Sequence, residues 1–342
     1  MSRKISLAAF QAVVIGLIAM ILMEGVIGLS LAHPTVSPIP TDFIRYLYFG
    51  FDHRTISLTR ECAIYDHEVT YTLRPGTCSF ANREYDNEYR INSLGLRDTE
   101  EALSRPEIVF VGDSVTMGLG VEQDEAFPQL VGRAIGKRTL NAGVSSYGTA
   151  RQLLLLQRLD RSHLRHLVIQ YWANDYMENV EFARDGALSI LTEEDYERTV
   201  AREEAAQRYW PGKYTYNTLR WTRHYIGWQV SEDADVTEPD PRLQADAFVG
   251  ALERSPVDLS GVSVTLIAIS PTFLEAVRAR AAISEINWVR NIDLVDISPS
   301  YSFDGARFFI DDHPSRLGHA AIARQLAAWI GGQYTRAPAD LL

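Results

Sequence analysis

The chain has 342 residues, 46% of them hydrophobic and 23% charged. That is globular composition, long enough for one large domain or two small ones, and it excludes a disordered or fibrous protein. A net charge of −11 leaves no overall basic footprint, so no nucleic-acid partner is expected, and with two cysteines a structural zinc site of the four-ligand kind is not expected.

Arg3 and Lys4 precede an apolar run from Ile5 to Ala32, interrupted by Gln11 and Glu24. Residues 5–23 alone approach the ~20 that a helix needs to cross the hydrocarbon. Secretory signals have shorter apolar cores, so an uncleaved anchor over residues 1–32 is expected ahead of a cleaved signal. Ser30-Leu31-Ala32 nonetheless supplies a small-residue cleavage site. The basic pair keeps the N-terminus cytoplasmic, which places the rest of the chain on the periplasmic or extracellular side of an inner membrane. In that oxidising compartment Cys62 and Cys78 can close a short loop worth roughly 3 kcal/mol; two free buried thiols are the alternative.

Residues 34–40 hold three prolines and read as a stiff linker. The remainder of 33–105 reads as a small β-rich segment, from alternating stretches such as 68–73 and the turn signal Arg74-Pro75-Gly76. From Pro106 short apolar strands alternate with helical stretches. Strands are expected at 107–111, 139–141, 166–171, 262–269 and 292–295, and helices at 125–137, 150–159, 273–289 and 315–330. This order predicts an α/β domain over 106–335, with a parallel sheet covered on both faces and a ligand site at the carboxyl ends of its strands. An insertion at about 179–260 carries Tyr209, Trp210, Tyr214, Tyr216, Trp221, Tyr225 and Trp228. These rings are expected to pack the insertion onto the sheet, with a sugar-stacking platform or a lid as the alternative.

The chemistry gathers at the strand ends. Gly112-Asp113-Ser114 follows the first sheet strand, where a serine opening a helix has an exposed hydroxyl and a helix N-terminus that favours negative charge. A serine nucleophile needs a base, and His313 follows the fifth strand in Asp311-Asp312-His313-Pro314. An oxyanion needs donors. Gly143, in Asn141-Ala142-Gly143 after the second strand, offers a backbone N–H, and Asn174 after the third offers an amide. Each residue has a structural role available to it as a cap, a turn or a loop residue; together, in this order, they read as a catalytic set.

These four blocks resemble those of the SGNH hydrolases, also called GDSL esterases, across residues 106–331. Residues 109–114 match the first block, 141–143 the second, 172–175 the third and 311–314 the last. Ile91-Asn92-Ser93-Leu94-Gly95-Leu96-Arg97-Asp98 resembles the lead-in of many envelope-associated bacterial members. The resemblance implies a flavodoxin-like three-layer α/β/α sheet and no metal or organic cofactor. It also implies a Ser-His acyl-enzyme mechanism, with Ser114 as nucleophile, His313 as base, and Ser114, Gly143 and Asn174 as oxyanion donors.

The chain departs from the family pattern twice. Trp172 stands where the third block begins with glycine, and Ile310 where the last block has an aspartate three residues before histidine. In an extended segment residues of equal parity share a face, so Asp311 rather than Asp312 is expected to orient His313; a dyad without either is the alternative. The expected activity is hydrolysis or transfer of small ester-linked acyl groups, with an envelope carbohydrate as the expected substrate. The contrasting expectation is a non-catalytic SGNH-like subunit of a membrane assembly.

Overall fold

The computed structural model describes residues 2–230 and 239–336, without the side chains of residues 2–6, 221, 223–230 and 334–336. The side chains of Trp221, Tyr225 and Trp228 therefore lie outside the described residues. In chain order the helices are α1 (Ser2–Ala32), α2 (Thr41–Phe51), α3 (Ser114–Met117), α4 (Phe127–Ile135), α5 (Thr149–Leu156) and α6 (Tyr176–Asp185). They continue with α7 (Glu193–Gln207), α8 (Lys213–Val230), α9 (Pro241–Arg254), α10 (Pro271–Ala281), α11 (Asn287–Arg290) and α12 (Arg316–Arg336). The strands are β1 (Ala63–Asp66), β2 (Thr70–Leu73), β3 (Gly76–Ala81), β4 (Asp86–Ile91), β5 (Ile108–Gly112), β6 (Thr139–Gly143), β7 (His166–Gln170), β8 (Ser263–Ala268) and β9 (Asp293–Asp296). The chain divides into two compact units, one drawn from residues 1–54, 202–237 and 309–311, the other from the rest.

The larger unit is built on a five-stranded sheet of order β6-β5-β7-β8-β9, every pair parallel. Renumbered from its own first strand this is 2-1-3-4-5, the flavodoxin-like order, in which ligands bind beside the first strand at the carboxyl edge. Alternate residues supply the two faces. Val109, Val111, Leu140, Leu167 and Ile169 turn to a core completed by Leu153 and Leu156 of α5, Phe248 and Leu252 of α9 and Val277 of α10. Ile108, Phe110, Val168 and Val295 turn to the other, completed by Phe127 and Val131 of α4 and Ile322, Leu326 and Ile330 of α12. The expected layers are therefore present.

Several elements differ from the sequence reading: residues 41–51, read as belonging with the linker and β-rich segment, form α2, which buries Ile44, Leu47 and Tyr48 at helical spacing, and Tyr214, expected to pack the insertion onto the sheet, lies in a core with Ile27 and Tyr48 instead. The helix expected over 273–289 is broken, because Ser284 satisfies the backbone locally: its Oγ accepts from Ile286 N at 3.3 Å and its carbonyl from Arg290 Nη1 at 2.8 Å. Within the expected insertion, α9 is a core helix. It buries Ala245, Phe248, Val249 and Leu252 at helical spacing, and Phe248 meets the rings of Tyr171 and Phe273 edge-on.

Ahead of the sheet, β1–β2 and β3–β4 form two antiparallel pairs. The Cys62–Cys78 disulfide ties them together, with a Cα–Cα distance of 5.4 Å.

The smaller unit packs α1, α2 and α8 together around Ile27, Leu31, Ile44, Leu47, Tyr48, Tyr214 and Ile310. Residues Leu7–Ala32 of α1 have mean hydropathy 2.5, long and apolar enough to cross a membrane. Leu7, Phe10, Val13, Ile18, Ile21 and Leu22 are all exposed, whereas Ile27 and Leu31, nearer its end, are buried. Glu24, in the apolar run, receives the backbone N–H of Tyr214 at 3.2 Å, the N–H of Thr215 at 2.9 Å and the Thr215 hydroxyl at 3.0 Å. A carboxylate at the first turn of α8 satisfies donors that have no partner within that helix.

Candidate active site

Ser114 leaves β5 as the first residue of α3, half-buried, after Asp113 caps that helix by accepting the Val115 N–H at 2.8 Å. His313 stands in a loop closed on itself, with Phe308 N donating to the His313 carbonyl at 3.2 Å and Arg307 bridging Pro314. From there its Nε2 reaches Ser114 Oγ at 2.7 Å. The structure thus brings together, across 199 residues, the two groups that a serine nucleophile requires.

The loop carrying Ser114 is held from several sides. Gln170, the last residue of β7, accepts the Asp113 N–H at 3.0 Å and the Thr116 hydroxyl at 3.1 Å on one oxygen. A Cβ on Gly112 would sit 2.6 Å from that oxygen and 2.1 Å from Thr116 Oγ1, so only glycine fits there. Arg97, fully buried, donates to the carbonyls of Met117, Gly118 and Val121 and stacks 3.9 Å above the Tyr89 ring. Asp98 accepts the Asn141 N–H at 2.8 Å. The Leu96-Arg97-Asp98 end of the lead-in therefore pins both the turn after α3 and the middle of β6.

Gly143 ends β6 beside Gly112, and a Cβ there would lie 2.3 Å from Met117 N. Its N–H donates to Asn141 Oδ1 at 3.0 Å, so an oxyanion at that amide would compete with the asparagine side chain. Asn174 lies in the short turn after β7 and is exposed. Ser146, beyond β6, adopts φ +64°, which costs a non-glycine residue on the order of 1 kcal/mol.

Asp311 is fully buried in the smaller unit. Its Oδ2 accepts the Tyr48 hydroxyl at 2.6 Å and lies 3.9 Å from His53 Nε2. Asp312 is half-exposed and pairs with Arg307 at 3.4 Å. The two departures from the family pattern have packing roles: Ile310 fills the core of the smaller unit, and Trp172 lies against Tyr301 with ring centroids 5.7 Å apart.

Two buried carboxyls stand behind the site. Burial pushes Asp113 up, opposed by the Val115 N–H and by the charge of His313. Burial and the neighbouring Asp113 charge push Asp175 well up, and it accepts the Thr149 hydroxyl at 2.8 Å. Tyr48, Gln170 and Glu24 escaped the sequence reading, since none belongs to a block with a recognisable spacing.

No family model and no curated protein matches the chain. Solved structures do. A protein described as a lipolytic member of the G-D-S-L family, from Desulfitobacterium hafniense, is 10% identical, with a TM-score of 0.36 and coverage of 65% of this chain and 97% of that one. A carbohydrate esterase family 2 enzyme with a carbohydrate-binding domain, from Corynascus thermopiles, is 15% identical (TM-score 0.40; 68% and 67% covered). A salicylyl-acyltransferase from a tetracycline biosynthetic pathway is 16% identical (TM-score 0.33; 66% and 56% covered). With these identities under 25% and these TM-scores under 0.5, the functional reading stands on the geometry of the site itself.

Proposed function

We propose that this protein is a serine esterase or O-acyltransferase of the SGNH type, anchored in a bacterial inner membrane with its catalytic unit outside. The observation that carries the reading is the 2.7 Å contact between Ser114 Oγ and His313 Nε2 at the carboxyl edge of a flavodoxin-like sheet. His313 takes the Ser114 proton as Oγ attacks an ester carbonyl, then returns it to the departing alkoxide. The Ser114 N–H and the Asn174 amide receive the oxyanion, and the Gly143 N–H joins them by exchanging its Asn141 Oδ1 partner for it. Asp311 orients the imidazole. Water or a sugar hydroxyl then takes the acyl group from Ser114. The substrate is a small acyl ester of an envelope carbohydrate, a choice that rests on the family resemblance of the lead-in and the four blocks.

A retained anchor, rather than a cleaved signal, is supported by what its last turns do. Cleavage after Ala32 would remove Ile27 and Leu31 from the core of the smaller unit and Glu24 from the start of α8. The non-catalytic alternative drew on Trp172 and Ile310, and the packing of each supplies a second reason for those departures. The test is exposure of the full chain, solubilised in detergent, to a fluorophosphonate and to a short-chain aryl ester. Labelling at Ser114 with turnover is expected; an unlabelled, folded chain would overturn the reading.

A further inference from the structure

The smaller unit contains a cavity of about 360 Å³ between the end of α2 and the start of α8. Its walls include Trp210 and Tyr216, whose rings pair with centroids 5.8 Å apart and remain half-exposed or more. Besides Tyr216, the titratable side chains Lys213, Arg220, Glu203 and His53 line it. Lys213 is only 3% exposed, and its ammonium donates to the Gln207 carbonyl at 3.2 Å. Glu203 accepts from Gln207 Nε2 at 3.0 Å. Lys213 and Arg220 thus bring two cationic side chains into one lining, beside the Glu203 carboxylate.

The height of the cavity along α1 says where that group comes from. A Cβ on Gly212 would lie 3.6 Å from Met20 Sδ, and Thr215 Oγ1 lies 3.4 Å from the Met20 carbonyl oxygen. The start of α8 is therefore level with Met20 to Glu24. Exposed apolar side chains run along α1 from Leu7 to Leu22, and Val26 and Leu29 beyond Glu24 are exposed as well. At 1.5 Å per residue the run from Ile5, next to Arg3 and Lys4, to Glu24 is about 30 Å of helix, the depth of a hydrocarbon core of ~30 Å. Trp210 and Tyr216 then stand at the outward boundary of the bilayer, where amphipathic rings settle at headgroup depth. Lys213 and Arg220 are the side chains that pair with phosphate oxygens.

We propose that this cavity holds the phosphate headgroup of an anionic phospholipid of the outward leaflet, its acyl chains lying along the exposed face of α1. The inference rests on α1 being a retained anchor and is independent of the esterase reading. The test places the full chain in nanodiscs of dioleoyl phosphatidylcholine carrying a minor fraction of dioleoyl phosphatidylglycerol, and counts retained lipids by native mass spectrometry. Wild type should retain one phosphatidylglycerol with at least a tenfold preference over phosphatidylcholine. Arg220→Gln should cut that preference about tenfold and Trp210→Ala should weaken it. Glu203→Gln should strengthen it, a gain that a misfolded variant would not give. Equal retention of the two lipids, indifference to Arg220→Gln, equally tight binding of inorganic phosphate, or displacement of the lipid by a neutral oligosaccharide would each overturn the proposal. A chain that fails to enter the discs overturns the anchor reading and this proposal together; one that enters without lipid preference overturns this proposal alone.

Discussion

The side-chain oxygen of Gln170 accepts the backbone N–H of Asp113 at 3.0 Å, which ties the end of one sheet strand to the residue immediately before the candidate nucleophile. The same oxygen takes the Thr116 hydroxyl, so one side chain holds both ends of the turn on which Ser114 sits. Gln170→Ala leaves two buried donors unsatisfied, at a cost of about 1–3 kcal/mol. It also loosens Ser114, and small misplacements of a reacting group cost up to about 100-fold in rate. The expected result is a lower kcat with KM nearly unchanged and a lower melting temperature. A fall in stability alone, with kcat intact in the folded variant, would reduce Gln170 to a packing role.

Ser114 and His313 should fail together. Either alanine substitution should remove most turnover, and the double variant should be hardly worse, because the two act as a unit. Asn174→Ala should lower kcat by about 10²–10³ with KM little changed. Asp311→Asn should cost more than Asp312→Asn, since Asp311 is buried and Asp312 pairs with Arg307 at the surface. Steady-state kinetics on an aryl ester, with folding checked for each variant, decides the order; the reverse order for the aspartates would leave the mechanism standing and remove Asp311 from it.

Glu24→Ala should uncap α8 while leaving α1 apolar enough to stay in the membrane. A cap of this kind is worth about 1 kcal/mol, and its loss should show as faster proteolysis around residues 208–220 of the membrane-bound chain. A mature protein beginning near residue 33 would make the substitution silent and show α1 to be a signal.

The Cys62–Cys78 bond closes a loop between residues 16 positions apart. In the chain-entropy picture that is worth about 3 kcal/mol. Replacing both cysteines by serine should lower the unfolding free energy by that order in urea denaturation, and mass analysis without reductant should find the native pair joined.

Acid should unfold the protein partly through two histidines. Burial holds His166 at about 4; burial, with Arg97 and His313 nearby, holds His319 at about 3. Both take protons near 6.5 in the unfolded chain, so their contribution is complete above that pH and is lost as pH falls from 6.5 toward 4 and 3. Buried Asp98, Asp113, Asp175 and Glu178 are shifted upward and act in the opposite sense, losing their contribution as pH rises. His166→Gln should therefore flatten unfolding free energy against pH between about 4 and 6.5 by up to one proton, about 1.4 kcal/mol per pH unit. An unchanged slope would mean that His166 is already protonated in the fold.

The sequence alone carried everything written in short range. An apolar run of membrane length and five short strands separated by helices are local patterns that hydrophobic periodicity and turn chemistry make legible, and a serine, a glycine, an asparagine and a histidine after the first, second, third and fifth of those strands stand in blocks that resemble a known family. The tertiary structure decided what depends on residues distant in the chain. Glu24 reads as a blemish in an apolar helix until Thr215, 191 residues on, is found donating to it. Ile310 reads as a broken motif until it is found in a core with Ile27 and Tyr48. Asp311 acquires a hydroxyl partner 263 positions away, and the Gly143 N–H turns out to be engaged by Asn141. Such pairings have no period to read, because a buried polar group takes whichever partner the packing brings within reach, and that is fixed only when the whole chain has folded.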